Sequence, residues 1–440
     1  MDYLNNKDIW DPILPEEKDA EKITRPSLTF MQDGWRRLKR NKVAIISMVV
    51  IIIIILSAIL IPNFWKHSYY QQNLKMGNLP MFMRTYKLTD EISAYVTPEY
   101  TAFAVSNDGE ILGIPNKIMK PGAQKSNAFE IEGKELIIDY SKYSSAAGEL
   151  RKISNKKDED GNVIVENAEF LKEYYEGDYP EKIHVTEAEH IFNNEIEKFT
   201  VTYDGQKLSD PYSLRNKTYV FGTDNLGRDL FIRVVYGARI SLIVGFAAAI
   251  INFFVGVIYG GISGYVGGRV DNVMMRIVDI ISSIPTTLYV ILIMVVVGAG
   301  LTTIIIAIGI TFWVQMARMV RGEVLRLKNT DYVKSSIVLG QSTGKILIKH
   351  LVPNIMGPIM VGIAMQIPSA IFNEAFLSFI GLGVSAPKAS WGTLVNDALP
   401  AIYIYPYQLI VPAIAISVTI LAFNLFADGL RDSFDPRLRD

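Results

Sequence analysis

Cysteine is absent from all 440 residues, which excludes disulfides, metal–thiolate sites and cysteine nucleophiles. Any extracytoplasmic part must therefore hold together by its own core. Histidine is nearly absent: there are four, in no ligand spacing, so no metal site is expected. Charged residues make up only 20% of the chain and sum to −1, which leaves no overall field directed at nucleic acid. Half of the residues are apolar, too many for a soluble enzyme with ordinary loops.

Charge is missing altogether from residues 43–62, VAIISMVVIIIIILSAILIP. About 20 such residues suffice to cross a hydrocarbon core ~30 Å thick. A cleaved signal peptide does not fit, because a long mixed segment precedes the run, the run is too long, and no A-x-A-like site follows. The segment is expected to be a retained anchor. Further apolar stretches at 240–262, 277–297, 301–317, 355–379 and 409–426 bring the expected count to six spans. Flanking cations set the orientation. Arg36, Arg37, Lys39, Arg40 and Lys42 lie just before the first span and place the N-terminus in the cytoplasm. Six crossings return the C-terminus there. The loop between spans four and five (Arg318, Arg321, Arg326, Lys328, Lys334, Lys345, Lys349) and the tail (Arg431, Arg437, Arg439) are then both cytoplasmic.

Residues 63–218 have a different character, with both signs of charge intermixed and turn signals at Asn107-Asp108-Gly109, Glu132-Gly133, Asp160-Gly161-Asn162 and Asp204-Gly205. Alternating stretches flank them (TAFAV and EILGI around the first, KFTVTY before the last), which reads as β-hairpins. Residues 170–175 fit a short helix. A disordered spacer is the bland alternative, and the aromatic and β-branched content argues against it. Asn216-Lys217-Thr218 matches a glycosylation triplet but carries no weight. The fold class expected is an all-α polytopic membrane protein of six transmembrane helices with an inserted, mainly-β extracytoplasmic domain. Its divisions are a cytoplasmic segment 1–42, the first span 43–62, the insertion 63–218, a five-helix core 219–430 and a cytoplasmic tail 431–440.

The second span is expected to contain Gly256, Gly260, Gly264 and Gly268, each four residues from the next, which would form a smooth ridge for close helix approach. Ordinary packing and packing within a moving bundle explain that ridge equally well. Polar residues within the spans are few: Asn252, Asp279, Gln315, Gln366, Asn373, Glu374 and Asn424. An unpaired acid at mid-bilayer costs ~2.5–3.5 kcal/mol, so each should face protein or water. Asp279 lies three residues from Arg276 and is expected to pair with it, and Glu374 lies toward the outer end of span five. No ladder of acids for proton coupling is present. Pro285, Pro368 and Pro412 interrupt spans three, five and six, giving kinks suited to a cavity.

Gly340-Gln341-Ser342-Thr343-Gly344-Lys345-Ile346 approaches a phosphate-binding loop but is one residue short between the glycines, and Ile346 stands where a magnesium-binding hydroxyl is needed. No strand leads into it, so this chain is not expected to bind ATP. The surrounding segment reads better as two short amphipathic helices split near Gly340, in a basic cytoplasmic loop. Asp331, Tyr332, Lys334, Ser335, Ser336, Gly340 and Gly344, continuing to His350, Pro353 and Asn354, resemble the signature loop of bacterial ABC importer permeases, E-A-A, three residues, G, then about a dozen residues to L-P. Lys334, Ser335 and Ser336 replace the acid and two alanines, and Val352 precedes the proline. In that family the segment, here 327–354, is the coupling helix that docks into the ATPase.

Three further segments resemble the dipeptide, oligopeptide and nickel permeases. Gly222, Thr223, Asp224, Gly227, Arg228 and Asp229, followed by Arg233, Gly237 and Arg239, are similar to their approach to span two. Glu374, Ser378, Gly381, Gly383, Trp391 and Gly392 are similar to their span-five exit. Asp428-Gly429-Leu430-Arg431-Asp432 with Asp435-Pro436 matches their C-terminal end. The resemblance covers roughly 27–63 and 220–440 and implies the type I importer permease fold. It further implies oligopeptide transport by alternating access, driven by ATP and magnesium held on two partner ATPases rather than on this chain. A second homologous permease, an extracytoplasmic peptide-binding lipoprotein, membrane lipid and the peptide itself are the implied partners. Large insertions of this kind occur in such permeases from cysteine-avoiding Gram-positive bacteria. Nickel remains a second substrate, although no His- or Met-rich set lines the spans. A membrane-anchored receptor would need a cytoplasmic output domain, and a membrane enzyme a nucleophile or metal cluster. Neither is legible.

Overall fold

The computed structural model describes residues 30–119, 125–152, 156–157, 163–166, 169–174 and 182–434. The turn expected at 160–162, Arg437, Arg439 and the Asp435-Pro436 pair lie outside them.

A short amphipathic helix α1 (Phe30–Arg40) leads into α2 (Lys42–Phe64), capped by the Asn41 side chain accepting from Ala44 N at 3.2 Å. The 23 residues of α2 reach ~35 Å at 1.5 Å per residue, enough to cross the apolar core.

The insertion follows as β1 (Phe82–Lys87), β2 (Ile92–Val96), β3 (Ala102–Ser106), β4 (Ile111–Gly113), β5 (Asn116–Ile118), β6 (Ser126–Ile131), β7 (Lys134–Asp139), α3 (Ser141–Lys152), β8 (Lys156–Lys157), β9 (Val163–Glu166), β10 (Lys182–His184), α4 (Val185–Glu195), β11 (Thr200–Tyr203), β12 (Gln206–Leu208) and β13 (Tyr212–Arg215). The strands form antiparallel sheets ordered β13-β1-β2-β3-β4, β12-β11-β7-β6-β5 and β10-β9-β8. Asn107-Asp108-Gly109, Glu132-Gly133 and Asp204-Gly205 occupy hairpin turns, with φ of +95°, +74° and +76° at their glycines. Ala94, Val96 and Ala102 of the first sheet share a core with Phe129, Ile131, Leu136, Ile138, Val201 and Tyr203 of the second. The other face of the first sheet (Met83, Tyr95, Phe103, Val105) covers Leu79 and Tyr219. That double burial is why β2 is buried without alternation, its one small polar residue, Ser93, being hydrogen-bonded to Asn107 at 2.6 Å. Residues 169–174 form a 3₁₀ turn at the place of the expected short helix. Asn216 is wholly buried, donating to Pro80 O at 3.1 Å and accepting from Tyr219 N at 2.8 Å, so it works as a turn residue.

The core continues with α5 (Leu230–Ile251), a π segment (Asn252–Gly256), α6 (Val257–Val266), α7 (Gly268–Ser283), α8 (Thr286–Val297), α9 (Leu301–Thr311), α10 (Trp313–Leu327), α11 (Asp331–Val338), α12 (Thr343–Ile346), α13 (Val352–Asn354), α14 (Met356–Leu377), α15 (Trp391–Ala398) and α16 (Tyr407–Phe434). Among the described residues, five helical runs are long and apolar enough to cross a membrane: Lys42–Phe64, Leu230–Val266, Leu301–Leu327, Met356–Leu382 and Tyr407–Phe434. The stretch expected as span three is not one straight helix. It breaks between α7 and α8, which meet at 82°. Pro285 supplies no N–H and pushes Ile284 out of the helical region, to φ −96° and ψ 125°. α14 and α16, by contrast, run through Pro368 and Pro412 as continuous helices. Span two begins ten residues earlier than expected, because Arg233 is ion-paired inside protein and not left facing lipid. Asp279 pairs with Arg318 at 2.9 Å and not with Arg276.

Candidate functional site

Three places concentrate the residues singled out by the sequence. The first is the loop after α10. Thr330 precedes α11, whose inner face, Val333 and Ser336, is buried against Val320, Val324, Ile346, Leu351 and Ile355. α11 ends in a Schellman motif: Gln341 N donates to Ser336 O at 3.1 Å and Gly340 N to Ile337 O at 2.9 Å. Gly340 has φ +75°, a conformation only glycine adopts cheaply. The ring Nε2 of His350 meets Gln341 Oε1 at 3.0 Å and clasps the two ends of the loop, while Asn354 donates to His350 O at 2.5 Å. Pro353 sits in the first turn of α13, and Gly344 lies in α12. Asp331, Tyr332, Lys334 and Ser335 point outward with Ile337, Val338 and Leu339. Val338 is 86% and Leu339 79% exposed, and Ile348 joins them at 75%. An apolar patch of this kind beside three lysines is the signature of a surface that another protein covers.

The second place is the contact between α6 and α10, just before this loop. Gly256, Gly260 and Gly264 face α10, where a Cβ would strike Met316, the backbone of Ala317, and Arg321 O with Val324 respectively. Gly268 does not continue the ridge. α6 ends at Gly267 (φ +71°), and Gly268 (φ +59°) begins α7, where a Cβ would meet none of the described atoms within 4 Å. Lys328 Nζ donates to Gly264 O at 3.2 Å, tying the start of the loop to α6.

The third place is the N-terminal end of α5. Gly222 (φ +79°) and Gly227 (φ +68°) lie against the carbonyls of Leu79 and Asn73, closer than any Cβ allows. Thr223 is wholly buried, donates to Met76 O at 2.6 Å and accepts from Leu79 N at 2.9 Å. Asp229 caps α5 through Phe231 N at 2.9 Å and accepts from the Trp65 indole at 2.9 Å, which joins the end of the first span to the second. Burial pushes the Asp229 carboxyl up, against those hydrogen bonds and the nearby His67. Asp224 accepts from Arg228 Nε at 2.7 Å and from Arg233, and both guanidinium groups reach Asp397 of α15, at 3.7 and 3.3 Å. The cluster borders a cavity of about 520 Å3 that also touches Ser378, Gly381 and Gly383. Glu374, wholly buried, accepts from Ser241 of α5 at 2.6 Å and from Ser378 at 2.7 Å. Trp391 donates its indole N–H to Val234 O at 2.9 Å, and Gly392 lets α15 rest on the backbone of Ala375. Gly381 (φ +87°) makes the turn out of α14. Asp397 gave no sequence signal, being one acid in an otherwise ordinary amphipathic stretch.

The insertion is fastened to this end. Tyr405 donates to Glu99, Tyr407 to Leu79 O (3.0 Å) and Thr223 O (2.8 Å), and Gln408 to Asn78 Oδ1 (2.9 Å). Burial and the Glu99 carboxylate hold the Tyr405 phenol protonated well above its ordinary range.

Residues 254–440 match the model of the family described as binding-protein-dependent transport system inner membrane component. Residues 29–80 match that of the N-terminal TM domain of oligopeptide transport permease C. The oligopeptide transport system permease protein OppC of Bacillus subtilis is 55% identical over 224 residues, covering 51% of this chain and 73% of that one. The dipeptide transport system permease protein DppC of the same organism is 54% identical over 235 residues, covering 53% and 73%. DppC of Lactococcus lactis is 37% identical over 425 residues, covering 95% and 94%, so that match runs through the insertion as well. The chain therefore belongs to the family of membrane permease components of binding-protein-dependent ABC importers, transport subunits rather than enzymes.

Proposed function

We propose that this chain carries oligopeptides across the cell membrane of a Gram-positive bacterium by alternating access, paired with a second homologous permease. ATP and magnesium sit on two partner ATPases, and a peptide-binding lipoprotein delivers the substrate from outside. The observation that carries the reading is the α11 surface. A rigidly built loop, closed by the Gly340 turn and the His350–Gln341 clasp, presents Val338 and Leu339 to solvent between lysines. A loop made only to connect two spans has no reason to expose them. The close relatives named for oligopeptide and dipeptide transport support the substrate class.

In this reading both termini are cytoplasmic and the bent pair α7–α8 counts as one crossing, giving six. The division into 1–42, 43–62, 63–218, 219–430 and 431–440 is kept. The residues from Asp331 to Asn354 form the coupling element. Gly256, Gly260 and Gly264 pass its motion to span two. The Gly222–Asp229 and Glu374–Gly392 segments hold the outer end of the bundle together, and the insertion stands beside the pathway mouth to meet the lipoprotein or the second permease. The complete transporter, reconstituted in vesicles with its binding protein, should accumulate a labelled tripeptide only with ATP inside its ATPase compartment. Accumulation of nickel and no peptide would overturn the substrate assignment.

A further inference from the structure

The α7–α8 break lies midway along a segment apolar enough to cross the bilayer. Irregular backbone at that depth persists only where it is buried in protein or borders water. It opens on a cavity of about 350 Å3 between α7, α8, α10 and α14. Two polar stripes face it. Gln366, Ser369 and Asn373 recur at three and four residues along α14, and Thr311, Gln315 and Arg318 do the same along α9 and α10. The neighbouring Phe372, 59% exposed, is apolar and off the stripe.

The stripes are built as well as aligned. Gln366 accepts from Asn252, which stands in the π segment of span two, and donates to Phe312 O at 3.4 Å. Asn373 donates to Ser369 O at 2.8 Å and the Ser369 hydroxyl to Met365 O at 3.2 Å, and both residues line the cavity. Arg318 donates to Asp279 and to Ser282 Oγ, each at 2.9 Å, so its charge is matched at the margin. The rest of the lining is the apolar Ile281, Ile284, Phe312 and Val314 together with carboxamides and hydroxyls, with no excess charge of either sign.

Resting on the peptide reading above, we infer that this groove is the part of the pathway touched by substrate, and that Gln315, Ser369 and Asn373 bind the peptide main chain. Carboxamides and hydroxyls both donate and accept, as peptide groups do. A neutral lining of this kind satisfies successive N–H and C=O groups whatever the side chains are. It offers no carboxylate or imidazole donors suited to a transition metal.

The absence of cysteine makes the test direct. Ser369→Cys, a near-isosteric change, and Asn373→Cys are each introduced singly, with Ile53→Cys on the exposed apolar face of α2 as control. Each is purified as the complete transporter in lipid and exposed to a charged, water-soluble methanethiosulfonate. Labelling is expected at 369 and 373 and not at 53. It should be lost during ATP-driven turnover with binding protein and either trialanine or a lysine-containing tripeptide. No labelling at 369 and 373 would show a dry stripe packed on another chain and overturn the inference. Labelling unchanged while trialanine is being taken up would overturn the substrate contact, and protection by one tripeptide only would overturn main-chain recognition. A transporter that takes up no peptide at all would sink the substrate assignment, while labelling at 369 and 373 would still decide whether the groove holds water.

Discussion

Asp271 of α7 accepts two hydrogen bonds from the guanidinium of Arg321 on α10, each at 2.5 Å, and one from Ser263 of α6 at 2.5 Å. Three helices thus meet at one carboxylate, and one of them, α10, leads directly into α11. The Arg321 partner holds that junction while the glycine seam lets α6 and α10 lie backbone to backbone. On the proposed coupling role, a displacement of α11 is expected to reach span two and the bent pair together.

Asp271→Asn should separate ATP hydrolysis from transport. Charge-assisted hydrogen bonds contribute about 1.5–3 kcal/mol each, and Arg321 is one-third exposed, so a loss of about 2 kcal/mol is expected. The reconstituted transporter should keep hydrolysing ATP while peptide uptake falls severalfold. Equal loss of both activities would indicate a folding defect instead.

The seam has a sharp internal control. Gly260→Ala drives a methyl into the Ala317 backbone and should lower thermal stability by about 1–3 kcal/mol, as overpacking does. Gly264→Ala should cost less, since Val324 side-chain atoms are among those it meets. Gly268→Ala meets open space and carries only the strain of φ +59°, roughly 1 kcal/mol. A melting series in detergent with the order 260, 264, 268 reversed would contradict the packing described.

Gly340→Ala places a Cβ on a residue at φ +75°, costing about 1–2 kcal/mol locally without touching the spans. Membrane insertion should be normal and ATPase binding weakened about tenfold, the factor that 1.4 kcal/mol sets. Titration of the purified permease pair with ATPase measures it.

The insertion is joined to the core through β1 and β13, where Thr85 lies opposite Tyr212. Replacing 86–211 with a tight turn closes that pair while keeping the Leu79–Thr223 clamp. The shortened chain should insert and assemble, and peptide uptake with the binding protein should be lost. Uptake at the normal rate would show that the insertion has no part in delivery.

Much of this was readable from the chain. An uncharged run longer than any globular core needs, cations at its edge, and turn pairs flanked by alternating strands are local signals, and local signals fix the first span and the hairpins. The Gly340 turn is legible for the same reason. What escaped depends on partners distant in sequence. Asp279 had Arg276 three residues away, but the helix break turns it toward Arg318. The clustering of Arg228 and Arg233 with Asp397 spans more than 160 residues, and without it the start of span two looks too charged to be helix inside a bundle. Hydropathy averages over the Pro285 break because both sides are apolar. The stripes lining the groove stay hidden until α10 and α14 are set face to face.

Coupling of this chain to ATPases through α11 can be measured directly. The chain, tagged at its C-terminus and purified in mild detergent, should bring down a second permease and two P-loop ATPases, and Leu339→Asp should release the ATPases while keeping the second permease. If the wild-type chain purifies alone, or if Leu339→Asp leaves the ATPases bound, α11 is not the coupling surface.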